Sequence, residues 1–168
     1  MDIIRAILDG IAIAAIFNGA VAALALINPR YFLDSYPRAI QNAAPEPMTK
    51  KEKNINIILT VIICGSCFLY SMVSLFHMAI SGFWNLFWMG YIQWSLLNLG
   101  DFFLLDCLLF QGKYQDKIVI PGTEGHPDYE LGNWMKHLAI MEHFVITPFL
   151  IIPFVAAIQA LLVGLLGR

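Results

Sequence analysis

The sequence predicts an all-α integral membrane protein, a polytopic bundle of four transmembrane helices that forms a single domain over residues 1–168. Of the 168 residues, 59% are hydrophobic and only 13% are charged, whereas a soluble domain carries about 25% charged residues. The charged residues leave three long gaps, at 10–29, 54–100 and 143–167. A helix needs about 20 apolar residues to cross a hydrocarbon core of about 30 Å. This composition excludes a soluble enzyme and a disordered tail.

The first two gaps account for three of the helices. The first helix, at about 7–27, ends just before Pro29, because proline disfavours helical backbone in the residue that precedes it. The second gap is about twice as long as one membrane span, so we expect two helices there, at about 54–80 and 83–110. Gly82 lies between them and favours a tight turn.

The fourth helix is expected at about 134–166. Asn133 precedes it and is a suitable N-cap. Pro148 and Pro153 lie inside it, and each removes a backbone donor and bends the helix. Trp134, at its start, is expected at the membrane interface as part of an aromatic belt.

The two polar connections between these helices, 29–53 and 111–133, carry most of the Lys and Arg residues. The first holds five of them, and the second holds Lys113 and Lys117. Cytoplasmic loops of membrane proteins carry an excess of Lys and Arg. We therefore expect a multi-pass protein of the cell membrane with both connections in the cytoplasm and both termini outside.

The composition also indicates which partners to expect. A formal net charge of -2 without a basic patch argues against nucleic acid, and the implied partners are the lipid bilayer and a lipid or small apolar ligand. All three cysteines lie in apolar stretches, unlike the paired cysteines of a secreted disulfide framework. Cys64 and Cys67 have the CxxC spacing of thiol–disulfide exchange, but their depth in the second helix favours a packing role.

Six polar side chains inside the third and fourth helices are the candidate site residues. Ionisable groups are costly within a bilayer, and those that occur there usually face the protein interior or a wet cavity. At a rise of 1.5 Å per residue, the candidates on the two helices lie at matching heights. They are Asn98, Asp101 and Asp106 in the third helix and His137, Glu142 and His143 in the fourth.

Helical phase predicts which of these candidates meet. Asn98 and Asp101 share one face of an α-helix, whereas Asp106 is turned by about 140° from Asp101. The phases and heights together predict a deeper group of Asn98, Asp101, Glu142 and His143, and a shallower pair of Asp106 and His137.

Carboxylates and imidazoles are the usual proton carriers of enzymes. This set therefore predicts a small membrane enzyme that acts on a lipid or another apolar substrate at the cytoplasmic leaflet. Asp101 or Glu142 would be the base and His143 the proton carrier, with Asn98 and His137 orienting them.

The same side chains raise the hypothesis of a bound divalent metal, since zinc or iron takes three or four imidazole and carboxylate ligands. Metal-assisted chemistry is the less favoured form, because no HExxH or ExxH spacing is present. Neighbouring Glu142 and His143 also point about 100° apart on a helix. The candidate ligands are Asp101, Asp106, His137, Glu142 and His143.

Two further interpretations leave open whether the chain is an enzyme at all. The candidates would form a structural polar network in a membrane assembly partner, because paired polar residues also hold membrane helices together. Alternatively, they would form a proton or ion pathway in a transporter subunit. Four helices are few to enclose such a route, so transport predicts a homo-oligomer.

One longer pattern spans two of the helices and the loop between them. The run from Asn98-Leu-Gly-Asp101 to Leu105-Asp106 is followed by Pro121-Gly122-Thr123-Glu124 and then by His137. It resembles a pattern carried by uncharacterised four-helix bacterial membrane proteins. The resemblance implies the four-helix fold and no activity.

Overall fold

A computed structural model describes residues 3–78, 80–112 and 114–167 of the chain, and these residues are all-helical without strands. Lys113, which contributes to the predicted orientation, and Ala79, near the predicted end of the second helix, lie outside the described residues.

Four helices are long and apolar enough to cross a membrane, as the sequence predicts. They are α1 (Ile3–Ile27), α3 (Lys50–His77), α4 (Phe83–Leu109) and α6 (Leu131–Leu166). Two short helices, α2 (Arg38–Ala43) and α5 (Gln115–Ile118), lie in the connections.

The start of α3 differs from the prediction, because the helix begins at Lys50 rather than at residue 54. Thr49 accepts a hydrogen bond from the backbone N–H of Glu52, and the Glu52 carboxylate accepts one from the backbone N–H of Thr49. This capping box satisfies backbone donors that the first turn leaves free. The charged Lys50–Lys53 turn is therefore helical although it is not apolar.

The four long helices pack against one another, with α4 in contact with both α1 and α6. Gly10 permits the closest approach, since a Cβ atom there would lie 3.0 Å from the Cα of Gln93. The outward faces of the helices are apolar and exposed. Examples are Ile58 and Val61 on α3 and Phe149 and Leu165 on α6.

Parts of α4 and α6 are π-helical rather than α-helical. In α4 this part is Asp101–Leu109, and in α6 it comprises Met135–Ala139 and Glu142–Ile151. A π-helix joins residues five apart by hydrogen bonds and occurs frequently at functional sites. Residues spaced by five then come to one side of the helix, which changes the predicted phase of both helices.

The two prolines of α6 each leave one backbone carbonyl without a donor. In the π-helical part of α6, each carbonyl accepts a hydrogen bond from the N–H five residues later. This pattern extends to Ile152, whose N–H donates to the Thr147 carbonyl. The carbonyls of His143 and Pro148 would need donors from Pro148 and Pro153, which have no N–H.

Two side chains of α4 supply the missing donors. The Asn98 amide donates to the His143 carbonyl at 2.9 Å, and the Tyr91 hydroxyl donates to the Pro148 carbonyl at 3.1 Å. The prolines of α6 therefore determine which carbonyls of α6 accept hydrogen bonds from side chains of α4.

The two long connections form an ordered layer over one end of the four helices, which we call the cap. Tyr36 from the first connection is 2% exposed and lies edge-on against Phe110, Tyr129 and Trp134. Its hydroxyl donates to the carbonyl of Ile118 at 2.6 Å. Both connections therefore lie at the same end of the molecule, on a shared apolar core.

We expect Tyr36→Phe to lower the free energy of unfolding by about 1–3 kcal/mol, because the buried Ile118 carbonyl would lose its donor. Burial also raises the pKa of Tyr36 well above its ordinary value, which is about 10. A group whose pKa is raised by folding makes its full contribution to the stability of the folded state at pH values below its unfolded pKa. This contribution is lost as the pH rises further. The cap should therefore loosen above about pH 10.

Limited proteolysis of the cap at neutral and alkaline pH measures this loss. Tyr114→Phe is the matched control, because Tyr114 is 43% exposed. Equal protease resistance of both variants at neutral pH would contradict the prediction.

Candidate functional site

His143 and Asp106 form a buried pair at the centre of the candidate site. The imidazole Nε2 of His143 lies 2.8 Å from Oδ2 of Asp106, and Nδ1 lies 2.8 Å from Oδ1 of Asn98. The indole N–H of Trp134 donates to the other Asp106 oxygen, Oδ1, at 2.8 Å. His143, Asp106 and Asn98 are 5–7% exposed and Trp134 is 1% exposed. Such a pair of imidazole and carboxylate is held rigidly because each polar atom has a partner.

The pairing of Asp106 differs from the prediction, which places it with His137. Asp106 lies five residues after Asp101, so the π-helical turn of α4 brings both carboxyl groups to the same side. In a regular α-helix they would point about 140° apart. On α6, Leu138 and His143 are likewise five residues apart.

A cavity of about 370 Å³ opens beside the pair. Asp101, Asp106, Glu142 and His143 all line it, so four of the six candidates meet there. All four long helices and the first connection contribute to its walls, whereas the sequence places the site between the third and fourth helices. The additional walls include apolar and aromatic residues, such as Phe17 of α1, Phe32 of the cap and Ile63 of α3, and also polar residues. The polar ones are Ser35, Asn56 and Thr60.

Asp101 and Glu142 differ from Asp106 in having open carboxyl groups. Asp101 is half-buried and Glu142 is exposed, and both line the cavity. Within the described residues, neither carboxyl group forms a side-chain hydrogen bond or ion pair. These two groups are therefore the ones that a molecule in the cavity would contact as hydrogen-bond acceptors.

The structure does not bring His137 to the other candidates. Its Nδ1 lies 3.1 Å from Oδ1 of Asp128 in the cap, and its side chain is 42% exposed. The π-helical turn over Met135–Ala139 displaces it from the phase of a straight helix. His137 therefore belongs to the attachment between the cap and α6.

The candidate ligands are not arranged as a metal centre. Across residues 3–78, 80–112 and 114–167, no group of three or more His, Cys, Asp or Glu side chains is placed to hold a metal ion. The two histidines considered as ligands each bond to a different carboxylate, Asp106 and Asp128.

Trp134 and Pro148 are site residues that the sequence did not reveal as such. Tryptophan is a residue type that is enriched at membrane interfaces, yet the indole of Trp134 is buried against Asp106. Pro148 carries a partial signal, because a proline leaves one preceding carbonyl without a donor, but only the π-helical turn makes this the carbonyl of His143. Cys64 lines the cavity and Cys67 is buried, and both are free thiols.

A second polar network lies in the half of the helices away from the cap, and we call it the Gln93 network. Ser71 donates to Gln93 at 2.6 Å, Gln93 donates to Ser74 at 2.8 Å, and Ser74 donates to Asp9 at 2.5 Å. Gln159 accepts from the indole of Trp94 at 2.9 Å. The chain of donors links α1, α3, α4 and α6, so this network holds the helices together.

An apolar layer separates the Gln93 network from the cavity. It consists of Ile13, Cys67 and Leu97, which are 0%, 0% and 7% exposed. On each of their helices these residues lie between a residue of the network and a residue of the cavity wall. The two polar regions are therefore separate sites along the helices.

Comparison with known proteins adds no family or relative to these observations. No protein-family model, no curated protein and no solved structure matches the chain.

Proposed function

We propose that the chain is a multi-pass protein of the cell membrane, a bundle of four transmembrane helices that catalyses acid/base chemistry on a lipid or another apolar molecule. The observation that carries this proposal is the buried pair of His143 and Asp106 beside a cavity of about 370 Å³. Two open carboxyl groups, those of Asp101 and Glu142, line the same cavity.

The proposed roles follow from the side chains that line the cavity. Asp101 or Glu142 accepts a proton from the substrate, and the pair of His143 and Asp106 supplies a proton to it, while Asn98 orients the imidazole ring. Acid and base groups placed within hydrogen-bond reach of a substrate typically accelerate proton transfer by about 10²–10⁴-fold. The apolar and aromatic walls suit the hydrocarbon part of the substrate.

A proton or ion pathway through the helices is the alternative, and the apolar layer argues against it. A pathway needs polar groups or a wet cavity along its length. Ile13, Cys67 and Leu97 are buried between the cavity and the Gln93 network. The site is therefore proposed to exchange protons and substrate only on the side of the cap.

We further propose that the cap faces the cytoplasm, because the connections that form it carry the excess of Lys and Arg. In a variant without Cys64, Cys67 and Cys107, single cysteines at the exposed positions Lys51 and Glu124 should both react with an impermeant thiol reagent only after the cytoplasmic side is exposed. Labelling of either position from outside would overturn this orientation.

A comparison of lipid extracts tests the proposed activity. The wild-type protein, Asp106→Asn and the control Asp116→Asn, which changes an exposed carboxylate of α5, are placed in nanodiscs of bacterial polar lipids and incubated. Mass spectrometry should detect converted lipid with the wild type and Asp116→Asn but not with Asp106→Asn. Identical extracts from the wild type and Asp106→Asn, both folded, would overturn acid/base chemistry on these lipids.

A further inference from the structure

We infer that Pro148 and Asn98 are positioning residues that keep a proton on Nδ1 of His143, so that Nε2 and Asp106 share the single proton that the site can transfer. This inference rests on the proposed function, since it assigns the transferable proton of that site to one pair of atoms. It follows from the donors and acceptors at each atom.

The first step concerns the side-chain amide of Asn98. Pro148 has no N–H, so the His143 carbonyl lacks the donor that a π-helix would supply. The Asn98 nitrogen Nδ2 lies 2.9 Å from that carbonyl oxygen and donates to it. A carbonyl oxygen only accepts hydrogen bonds, so the orientation of the amide is determined by this contact.

The second step concerns Nδ1 of His143. With its nitrogen directed at the carbonyl, Asn98 presents its oxygen Oδ1 to Nδ1 at 2.8 Å. This oxygen also only accepts, and both side chains are 5–6% exposed. The hydrogen bond therefore requires a proton on Nδ1, which fixes the tautomer of the ring.

The third step concerns Nε2, which lies 2.8 Å from Oδ2 of Asp106. The indole of Trp134 already donates to Oδ1, so Oδ2 is the oxygen directed at the ring. One proton lies between Nε2 and Oδ2, either on an imidazolium or on a carboxylic acid. If this proton leaves, two lone pairs face each other at 2.8 Å. Repulsion between these lone pairs favours the return of a proton to the pair.

Nitrogen NMR of the purified protein, uniformly labelled with ¹⁵N-histidine, tests this assignment. The His143 signals are identified by their loss in His143→Gln. In the wild type, Nδ1 should give a protonated-type signal from about pH 5 to about pH 8, the range in which free histidine changes its charge. Wild-type Nδ1 without a proton in this range would overturn the inference, whatever the variants do.

Asn98→Ala tests the role of the amide. Without the Asn98 oxygen, neutral His143 should carry its proton on Nε2, because only Asp106 offers an acceptor. Asn133→Ala is the matched control, since Asn133 also donates to a backbone carbonyl, that of Pro127 at 3.0 Å, away from the ring. An unchanged His143 tautomer in folded Asn98→Ala would show that Asn98 has only a structural role.

Pro148→Ala tests the role of the proline. The restored N–H should share the His143 carbonyl, so Asn98→Ala should shift the unfolding temperature less in the Pro148→Ala background than in the wild type. Equal shifts would overturn the part assigned to Pro148. These measurements use no substrate, so their failure is distinguishable from failure of the lipid conversion test.

Discussion

Asp106→Ala is expected to lower the free energy of unfolding by roughly 3–5 kcal/mol, the usual cost of removing one partner of a buried ion pair. The substitution leaves the Nε2 side of His143 and the indole N–H of Trp134 without their partner, and both side chains are at least 95% buried. A cavity would also open where the carboxyl group was, which adds to the cost.

Asp106→Asn should be far less harmful to folding, with an expected loss of about 1 kcal/mol. The amide keeps one oxygen to accept from Trp134 and directs its N–H₂ group at Nε2 of His143. Because Asn98 holds the proton on Nδ1, Nε2 is free to accept that hydrogen bond. The site would remain assembled while losing its shared proton, so this variant separates folding from chemistry.

Equilibrium unfolding in detergent micelles, followed by tryptophan fluorescence and circular dichroism, compares the two variants with the wild type. The decisive quantity is the difference between Asp106→Ala and Asp106→Asn. If both variants lose the same stability, the hydrogen-bond assignment around His143 is wrong. If neither loses stability, the pair is not buried as described.

Gly10→Ala should destabilise the protein by roughly 1–3 kcal/mol, the typical cost of overpacking a well-packed core. The added Cβ would lie 2.8 Å from Cδ1 of Leu96 and 3.0 Å from Cα of Gln93. The leucine methyl group can rotate away, but the backbone at Gln93 cannot. Moving α4 away from α1 would also stretch the hydrogen bonds of the Gln93 network.

Gly19→Ala on the same helix is the matched control for this prediction. A Cβ atom there meets nothing within 4 Å, and alanine favours helix over glycine by up to about 1 kcal/mol. The two substitutions should therefore change the unfolding temperature in opposite directions. A loss of similar size for both would contradict the prediction, because it would show that the contact between α1 and α4 does not determine the effect at Gly10.

The four long helices could be predicted because the charge-free gaps have the length of membrane spans. The start of α3 could not be predicted from hydropathy, since the capping box of Thr49 and Glu52 makes a charged turn helical. Capping residues are visible in a sequence, so this difference was in principle accessible.

The pairing within the site depends on where α4 and α6 change from α-helical to π-helical hydrogen bonds. An α-helical phase separates Asp101 from Asp106 and so pairs Asp106 with the wrong histidine. The composition of Asp101–Leu109 gives no local signal for the wider turn. Pro148 indicates only that a carbonyl before it lacks a donor, and in an α-helix that carbonyl would belong to Phe144 rather than to His143.

The division of the site between α4 and α6 has a consequence for biosynthesis. Of the four long helices, α4 is the least apolar, and it carries Asn98, Asp101 and Asp106. Its hydrogen-bond partners Trp134 and His143 belong to α6, which the ribosome delivers after α4. If the four helices span a membrane, as we propose, α4 would hold its acidic groups there without these partners until α6 arrives, a costly state. Completion of the site and stable insertion of α4 are therefore expected to be coupled.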